Sequence, residues 1–588
     1  MKLFSKTKYM LPAVVAALSL HSCVETVEPA DDTATSGQIS GNSESFSMLV
    51  KGLKSMMITV GSYGTESGSY EEATADWGYP NYMFIKDIML DGMPSTGTSW
   101  NYEYAYEAAT SLAGYSPYPY YYYYKFINNT NRILKSAKED GASTEMKQML
   151  AITRTYRALC YMDLAMMYEF YKTGIPSLDE KAQNTGIMGL TVPISSEYTT
   201  AEQSKNNPRA PFYTMYRFIL NDLTIAEQNI GQYDRSGKND INGEVVSGLL
   251  ARFWLNLGTR FSRHPEDLAT QLEHESDADG WQPLRIQSAN DCFKLASEYA
   301  DKVIEAGYHP MTKSEWHDVK TGFNKANESW VWCYSFTSEE QIPRYWCTLI
   351  GNVASENPWG MPAYSGEYRC ISKKLYDCMG DSDWRKLSWV APEDAGAEKV
   401  PAKYYTQLKD ETPSSLESNL NWSRLPAYAN LKFRVADGDM DNEKKGLLVE
   451  QPLMRVEEMY FIRMEAMLHL NGLAAAKSEL TQFMNANRYT DGSYSCQAAN
   501  EEEFIDEMIA QKHIEFWGEG VLFNDYKRLG LQVDRKGDTN YLEDYQLTSI
   551  KGYAAPWMNF YISNVEMDFN KGVIANPDPT PEIKEYCK

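Results

Sequence analysis

Three turn-rich stretches of the sequence hold aromatic clusters that suit the binding of a polar ligand. Trp77 lies in TADWGYPNYMF, Trp100, Asn101 and Tyr102 lie in DGMPSTGTSWNYEYAYE, and Trp359 lies in ASENPWGMPAYSGEY. Tryptophan and tyrosine combine an apolar face with a polar edge, so they suit sugars, which present both C–H faces and hydroxyls. The surrounding Gly, Pro and Ser predict loops, where a tryptophan is more often exposed than on a helix face. These five residues are the candidate ligand-binding residues.

The whole chain is unusually aromatic. It has 42 Tyr, 20 Phe and 14 Trp among 588 residues, or 13%. Any single tyrosine more often packs between helices than binds a ligand, and packing is favoured for the run SPYPYYYYYKFINNTNRIL, which leads into a helix. The total nevertheless exceeds what a core requires, which favours an aromatic binding surface.

No common motif for catalysis or metal binding occurs in the sequence. It lacks H-E-x-x-H, G-x-x-x-x-G-K-[ST], G-x-G-x-x-G and G-x-S-x-G, and its histidines show no metal-ligand spacing. The stretch DGDMDNE, 437–443, alternates Asp residues but lacks the Gly and Glu of a calcium loop, so it predicts a solvated acidic turn. We expect a binding protein with no metal or cofactor. A surface glycoside hydrolase stays open as the weaker alternative, because sequence spacing does not fix the distance between two carboxylates.

Charge and cysteine usage exclude further classes. The formal net charge of −24 argues against nucleic acid, which requires clustered Lys and Arg, and against docking on an anionic membrane surface. Eight cysteines follow Cys23, and none forms a C-x-x-C pair, so a zinc site or redox dithiol is not expected. We expect most of them to be small buried apolar residues.

The amino terminus has the layout of an export signal. A basic start precedes the apolar run 11–20, which is too short to span a bilayer. The ending Leu20-His21-Ser22-Cys23 resembles the bacterial lipobox, in which the cysteine is acylated and becomes the first mature residue. We therefore predict a signal peptide over 1–22, lipidation of Cys23 and a flexible polar tether over 23–45. The acidic residues behind the cysteine resemble the surface-export signal of Bacteroidetes lipoproteins.

Helical periodicity dominates the rest of the chain. The stretch TEMKQMLAITRTYRALCYMDLAMMYEFY, 144–171, places Ile152, Tyr156 and Leu159 on one face. Thr144 is a suitable cap for its start, and glycine and proline follow its end. The apolar stretch GEVVSGLLARFWLNLG, 243–258, predicts a short buried helix.

A pair of helices is predicted around Gly472. The stretches RVEEMYFIRMEAMLHLNG and AAAKSELTQFMNANR present apolar faces to each other across this glycine, which suits the residue just past a helix end. The A-x-x-x-L-x-x-F pattern of the second helix resembles a tetratricopeptide unit. A further helix begins after Asn500, with Glu503 three residues later as in a capping box.

Two long irregular segments, 63–124 and 354–441, interrupt the helices. The second holds Tyr364 as well as Trp359. Loops of this length inside a compact chain are usually functional. No break in composition divides the chain after the tether. We predict one domain over 46–588, mainly α, with tetratricopeptide-like helix pairs and long aromatic-rich loops.

Five stretches together resemble the SusD/RagB family. They are YKFINNTNRIL, AITRTYRALCYMDLAMMYEFY, GLLARFWLNLG, MRVEEMYFIRMEAMLHLNG and HIEFWGEGVLFNDYKRLG, in the order of the family's blocks between Phe126 and Arg528. The last block fits the family pattern at Glu515, Glu519, Gly520, Asp525 and Arg528. It departs from that pattern at His513, where arginine is common, and at Leu522 or Phe523, where a second basic residue is frequent.

The resemblance implies a lipid-anchored protein on the surface of the outer membrane. Family members bind a nutrient, usually an oligosaccharide, and cover a SusC-like TonB-dependent transporter without being enzymes. Some relatives take up peptides, so a peptide-binding lid is the alternative. Family sugar platforms often lie in the loop before the Y-x-x-I-x-x-x-N helix, which puts Trp100, Asn101 and Tyr102 first. Trp77 and Trp359 follow on composition alone.

Overall fold

A computed structural model describes residues 43–59, 77–98, 117–342, 348–398, 401–404 and 424–588 of the chain. The predicted signal peptide, Cys23 and most of the tether lie outside these residues, so the boundaries at residues 22 and 45 stay predictions. The helices up to residue 316 are α1 Ser43–Lys51, α2 Leu53–Met56, α3 Tyr79–Ile88, α4 Pro117–Ser136, α5 Thr144–Tyr168, α6 Pro176–Asn184, α7 Ala201–Ser204, α8 Phe212–Ile230, α9 Gly243–Arg263, α10 Pro265–Glu273, α11 Ala289–Ile304 and α12 Lys313–Trp316.

The remainder contains two strands and shorter helices before a second helical group. The strands are β1 Trp330–Ser335 and β2 Glu450–Arg455. The helices are α13 Leu349–Val353, α14 Met361–Ser365, α15 Lys373–Asp377, α16 Glu443–Gly446, α17 Val456–Asn471, α18 Leu473–Asn487, α19 Glu501–Glu515, α20 Leu522–Leu529, α21 Asn564–Phe569 and α22 Thr580–Tyr586. The predicted mainly α fold is confirmed.

The long helices pack in a continuous series. In the order α4, α5, α8, α9, α11, α17, α18 and α19, each helix contacts the next. Helix pairs stacked in this way are the arrangement of tetratricopeptide proteins, in which each pair buries its apolar face against its neighbours. The predicted irregular segment 354–441 lies between α11 and α17 and contains the short helices α14 and α15. The prediction of an irregular segment over 63–124 is wrong in part, because α3 lies within it and α4 already begins at Pro117.

Helix α5 begins and ends at residues that differ slightly from the prediction. Its cap is Ser143, whose hydroxyl accepts the N–H of Met146 at 3.2 Å, and not Thr144. The helix stops at Tyr168, three residues before the predicted end. The buried Lys527 ammonium donates to the carbonyl oxygens of Met166 at 2.6 Å and of Glu169 at 2.9 Å. This cation satisfies carbonyls that the last turn of a helix leaves free.

Other helix boundaries follow the local signals more closely. Gly472 has φ 82° between α17 and α18, as expected for a glycine at that position, and Asn500 accepts the Glu503 N–H at 3.0 Å. Helix α9 continues past Gly258 to Arg263. Phe293 of α11 packs directly on Gly258, where an added Cβ would lie 2.8 Å from its ring. That glycine therefore permits close helix packing and does not end the helix.

Strands β1 and β2 pair antiparallel, with Trp330 opposite Arg455 and Ser335 opposite Glu450. Neither strand is predicted from the sequence. Every residue of β1 is buried, so its sequence WVWCYS shows no polar alternation. Because β2 runs directly into α17, the strand pair ties the loop-rich middle of the chain to the helices.

A buried network of charged side chains connects β2 with α18 and α19. The Glu515 carboxylate accepts from Arg488 at 2.7 Å, from Arg455 at 3.0 Å and from Arg385 at 3.2 Å. Burial alone raises the pKa of Glu515, but the three arginines outweigh it and hold that pKa well below its usual range. Arg455 also pairs with Glu519 at 2.8 Å. These acidic residues of the sequence motif are therefore part of the internal scaffold.

Within the residues that the structure describes, no helix is both long and apolar enough to cross a membrane.

Candidate ligand-binding site

Only Trp77 and Trp359 among the predicted ligand-binding residues fall within the described part of the chain. Trp100, Asn101 and Tyr102 lie outside the described residues, as does the predicted lipidation site Cys23.

Trp77 is a core residue, so the expectation that it is exposed is wrong. Its side chain is 2% exposed, and its ring centre lies 6.1 Å from that of Phe84 on α3. Gly78 has φ 86° and lies directly against the Met57 carbonyl, where the chain turns into α3. A Cβ added at Gly78 would lie only 2.5 Å from that carbonyl oxygen. This close approach buries Trp77 against α3. Its face is not available for stacking on a sugar.

Trp359 is half-buried and held in one orientation. Its indole N–H donates to the Met440 carbonyl at 3.1 Å, and its ring covers Gly446, where a Cβ would lie 2.8 Å from the ring. The nearby Asn357 side chain accepts the Gly360 N–H at 2.5 Å. The neighbouring turns thus fix the ring, which still contacts solvent.

Tyr364 is the exposed aromatic residue of the same segment. It lies on α14, a single turn that begins next to Pro362 and ends at Gly366 with φ 71°. Its side chain is 73% exposed. Tyr364 is not among the predicted ligand-binding residues, although the proline and the glycine that bound a one-turn helix are a usable signal for an outward-facing residue between them.

The residues that lead up to Trp100 pair with the segment that follows Tyr364. The Thr96 N–H donates to the Tyr368 carbonyl at 3.1 Å, and the Cys370 N–H donates to the Pro94 carbonyl at 2.9 Å. Ser95 also donates to the buried Glu367 carboxylate at 3.0 Å. We call the paired segments 92–97 and 366–372 the loop ribbon. It pairs the described start of one predicted aromatic stretch, 91–98, with the end of another, 354–368.

The opposite side of the loop ribbon carries another pair of tyrosines. The Tyr428 carbonyl accepts the Ile371 N–H at 3.0 Å, while its own N–H donates to Val390 at 2.7 Å. These two bonds hold Tyr428 at φ 70°, a left-handed conformation uncommon for a side chain of this size. Its ring lies 5.1 Å from that of Tyr376, close to perpendicular.

The charged groups behind these rings are used internally. Arg369 pairs with Glu367 at 3.2 Å, and both are buried. Asp439, in the predicted acidic turn, accepts the N–H groups of Asp441 and Asn442 at 3.1 and 3.0 Å. The described residues contain no cluster of His, Cys, Asp or Glu suited to a metal ion. The half-buried ring of Trp359 and the exposed ring of Tyr364 offer aromatic faces on which a ligand could stack.

Comparison with known proteins defines the class of the molecule. Residues 299–583 match the sequence model of the SusD family. A SusD-like carbohydrate binding protein from Bacteroides vulgatus ATCC 8482 superposes with a TM-score of 0.62 at 19% identity, covering 90% of this chain and 97% of that one. A SusD superfamily protein from Bacteroides thetaiotaomicron VPI-5482 gives 0.61 at 17% identity, with 91% and 100% covered. One from Parabacteroides distasonis ATCC 8503 gives 0.57 at 16%, with 92% and 99% covered.

The fold is thus SusD-like over nearly the whole chain. The sequence match to the SusD family covers residues 299–583, just under half of the chain. Both findings confirm the resemblance that the five helical stretches indicated. No curated protein sequence gives a significant match to this chain.

Proposed function

We propose that this chain is a cell-surface nutrient-binding protein that captures oligosaccharides. The sequence match to the SusD family supports this role, as does the similar fold of a SusD-like carbohydrate binding protein. The observation that carries the proposal is the loop ribbon. Main-chain hydrogen bonds between 92–97 and 366–372 bring the approach to Trp100 next to the segment that presents Tyr364.

In this proposal Trp100 and Tyr102 stack on sugar rings, and Asn101 hydrogen-bonds to hydroxyls. Trp359 and Tyr364 contribute from the other side of the loop ribbon. Aromatic faces match the C–H faces of sugars, and fixed rings lose little conformational entropy on binding. The chain binds its ligand without cleaving it.

We further propose how the protein is placed on the cell. Lipid on Cys23 anchors it to the outer membrane, and residues 23–45 act as a tether. The stacked helix pairs face a SusC-like TonB-dependent transporter, which receives the oligosaccharide. Stable anchoring by more than one acyl chain on Cys23 is consistent with the membrane affinity that such chains provide.

Glycan-array binding by the soluble chain from Ser45 onward tests the ligand class. We expect binding to one class of polysaccharide, with a loss of about five- to tenfold in Trp100→Ala, in line with ~1–1.5 kcal/mol for one aromatic contact. Tyr198→Ala is the matched control, because Tyr198 is 73% exposed but lies outside both aromatic stretches. Binding of peptides alone on a parallel array, or release of cleaved sugar, would contradict the proposal.

A further inference from the structure

A groove between helix ends shares no lining residue with the loop ribbon. The end of α5, the start of α8, the end of α9 and the start of α10 form its walls, and the turn 552–554 closes one side. Its volume is about 520 Å³. Small-molecule sites typically measure roughly 300–1,000 Å³, so the groove is large enough for one or two sugar rings.

Aromatic side chains line this groove, and neighbours fix each of them. Tyr213 stacks on His274, with ring centres 3.8 Å apart and planes 3° from parallel. Tyr553 is 41% exposed and rests on Gly174, where an added Cβ would lie 2.9 Å from its ring. Because these rings are held before a ligand arrives, binding on them requires little ordering.

Arg260 belongs to the wall of the groove. It donates to the Glu169 carboxylate at 2.8 Å and to Asp267 at 2.7 Å, and it lies 3.9 Å over the ring of Phe212. Its charge is therefore balanced, and it positions Phe212 without being free to bind an anion.

Arg263 differs from Arg260, although it lines the same groove. One of its N–H groups donates to the Gly552 carbonyl at 3.1 Å. The guanidinium packs against Gly530, where an added Cβ would lie 2.8 Å from a guanidinium nitrogen. Among the described residues it has no carboxylate partner. An exposed guanidinium without a carboxylate is notable in a chain with a net charge of −24. Partial burial and the nearby Arg528 lower the pKa of Arg263, and a bound carboxylate would oppose this shift.

We propose that this groove is a second carbohydrate site that binds a sugar ring carrying a carboxylate, such as a uronic acid unit. The sugar face rests on Tyr553 and Tyr213, and the carboxylate accepts two N–H groups of Arg263. A guanidinium matches a carboxylate in this bidentate manner, with roughly twice the strength of a neutral hydrogen bond. The proposal rests on the proposed function in one respect, since both require the chain to encounter glycans.

The shape of the groove favours a sugar over a peptide. An extended peptide gains much of its affinity from the main-chain groups of a free strand edge. The described walls of the groove are helix ends and turns, and β1 and β2 contribute no residue to it. Aromatic faces beside the guanidinium of Arg263 suit a compact acidic ring better.

Ligand-observed NMR titration of the soluble chain tests this site with named probes. Glucuronate and galacturonate are compared with glucose and galactose, which differ from them only by the carboxylate. We expect the uronates to bind at least tenfold more tightly, and Arg263→Gln to remove that preference, since a charged hydrogen bond contributes about 1.5–3 kcal/mol. Arg132→Gln is the matched control, because Arg132 is an exposed arginine of α4 outside the groove.

Tyr553→Ala separates stacking from charge recognition. Tyr553→Ala should weaken the binding of uronates and of neutral sugars alike, whereas Arg263→Gln should weaken the binding of uronates alone. Equal binding of charged and neutral sugars, or an unchanged preference in Arg263→Gln, overturns the proposal. Stronger Arg263-dependent binding of the acetylated dipeptide N-acetyl-Ala-Ala than of the uronates overturns it as well.

The two proposals fail separately. Polysaccharide binding that depends on Trp100, without any uronate binding, removes the second site and leaves the proposed function in place. Uronate binding that depends on Arg263, without Trp100-dependent polysaccharide binding, supports the second site and contradicts the role proposed for Trp100.

Discussion

Glu515→Gln should lower the free energy of unfolding by about 3–5 kcal/mol, the usual effect of breaking a buried ion pair. Glu515 is fully buried, and each of its oxygens accepts two N–H groups. Oε1 accepts from Arg455 at 3.0 Å and from Arg488 at 2.7 Å. Oε2 accepts from Arg385 at 3.2 Å and from Arg488 at 2.8 Å.

The magnitude follows from this geometry. Glutamine has the shape of glutamate but only one acceptor oxygen, so its NH₂ group must face two N–H donors in either orientation. Two hydrogen bonds to a charged group are lost, at about 1.5–3 kcal/mol each. Their sum agrees with the range expected for an uncompensated buried charge.

Urea unfolding of the soluble chain, followed by tryptophan fluorescence, measures the effect. Glu502→Gln is the control, because Glu502 is 71% exposed and pairs with Lys551 at 2.7 Å. Such a solvent-exposed pair contributes little to stability, because water and salt screen it. A loss below ~1 kcal/mol in Glu515→Gln, at an unchanged dependence on urea, would refute the view that this network holds the scaffold together.

The pH dependence gives a second readout. Because the arginines hold the folded-state pKa of Glu515 below its usual range, its carboxylate stabilises the fold at pH above about 4.3. That contribution is lost as the pH falls toward the folded-state pKa. The difference in stability between the parent chain and Glu515→Gln should therefore shrink in acid.

Two further substitutions test other buried charges. Lys527→Met removes the cation that satisfies carbonyls at the end of α5, and it should lower the free energy of unfolding in urea by about 3 kcal/mol or more. The control Lys135→Met, on the exposed face of α4, should lower it by less than about 0.5 kcal/mol. Equal effects of the two substitutions would contradict the capping role. Burial raises the pKa of Asp87 to about 7, against hydrogen bonding from Gly520, so the folded chain retains a proton that the unfolded chain releases near pH 4. The free energy of unfolding should therefore fall as the pH rises from about 4 to 7, by up to ~4 kcal/mol, and Asp87→Asn should remove this fall; the same pH slope in both proteins would contradict the assignment.

Local patterns predicted most of the helical scaffold. The apolar spacing of α5, the glycine between α17 and α18 and the Asn500 cap all lie within a few residues of what they determine. The errors arose where a distant residue decides a boundary. Lys527, which is distant in sequence, binds the carbonyls at the end of α5. The ring of Phe293 packs on Gly258, so that this glycine lies inside α9.

The loops were less predictable for the same reason. Trp77 looked exposed from its glycine and proline neighbours, but α3 folds back so that Phe84 covers it. The spacing between these two aromatic residues, two helical turns, was an available signal for packing. The loop ribbon joins 92–97 with 366–372 through main-chain atoms, which leave no pattern in side-chain types. Sequence could therefore select the three aromatic stretches but could not show that two of them are joined through the loop ribbon.

The main-chain character of the loop ribbon has a consequence for how such proteins diversify. Carbonyl and N–H groups are the same for every residue other than proline, so side chains on either side of the ribbon can be exchanged without loss of its hydrogen bonds. Trp517 also donates its indole N–H to the Gly92 carbonyl at 2.9 Å, which fastens the ribbon to the residues that follow α19. Insertions and substitutions can accumulate beyond such a fixed clamp, because long surface loops add little closure entropy. The molecule thus separates a frame held by main-chain hydrogen bonds from loops whose side chains can change without disturbing it.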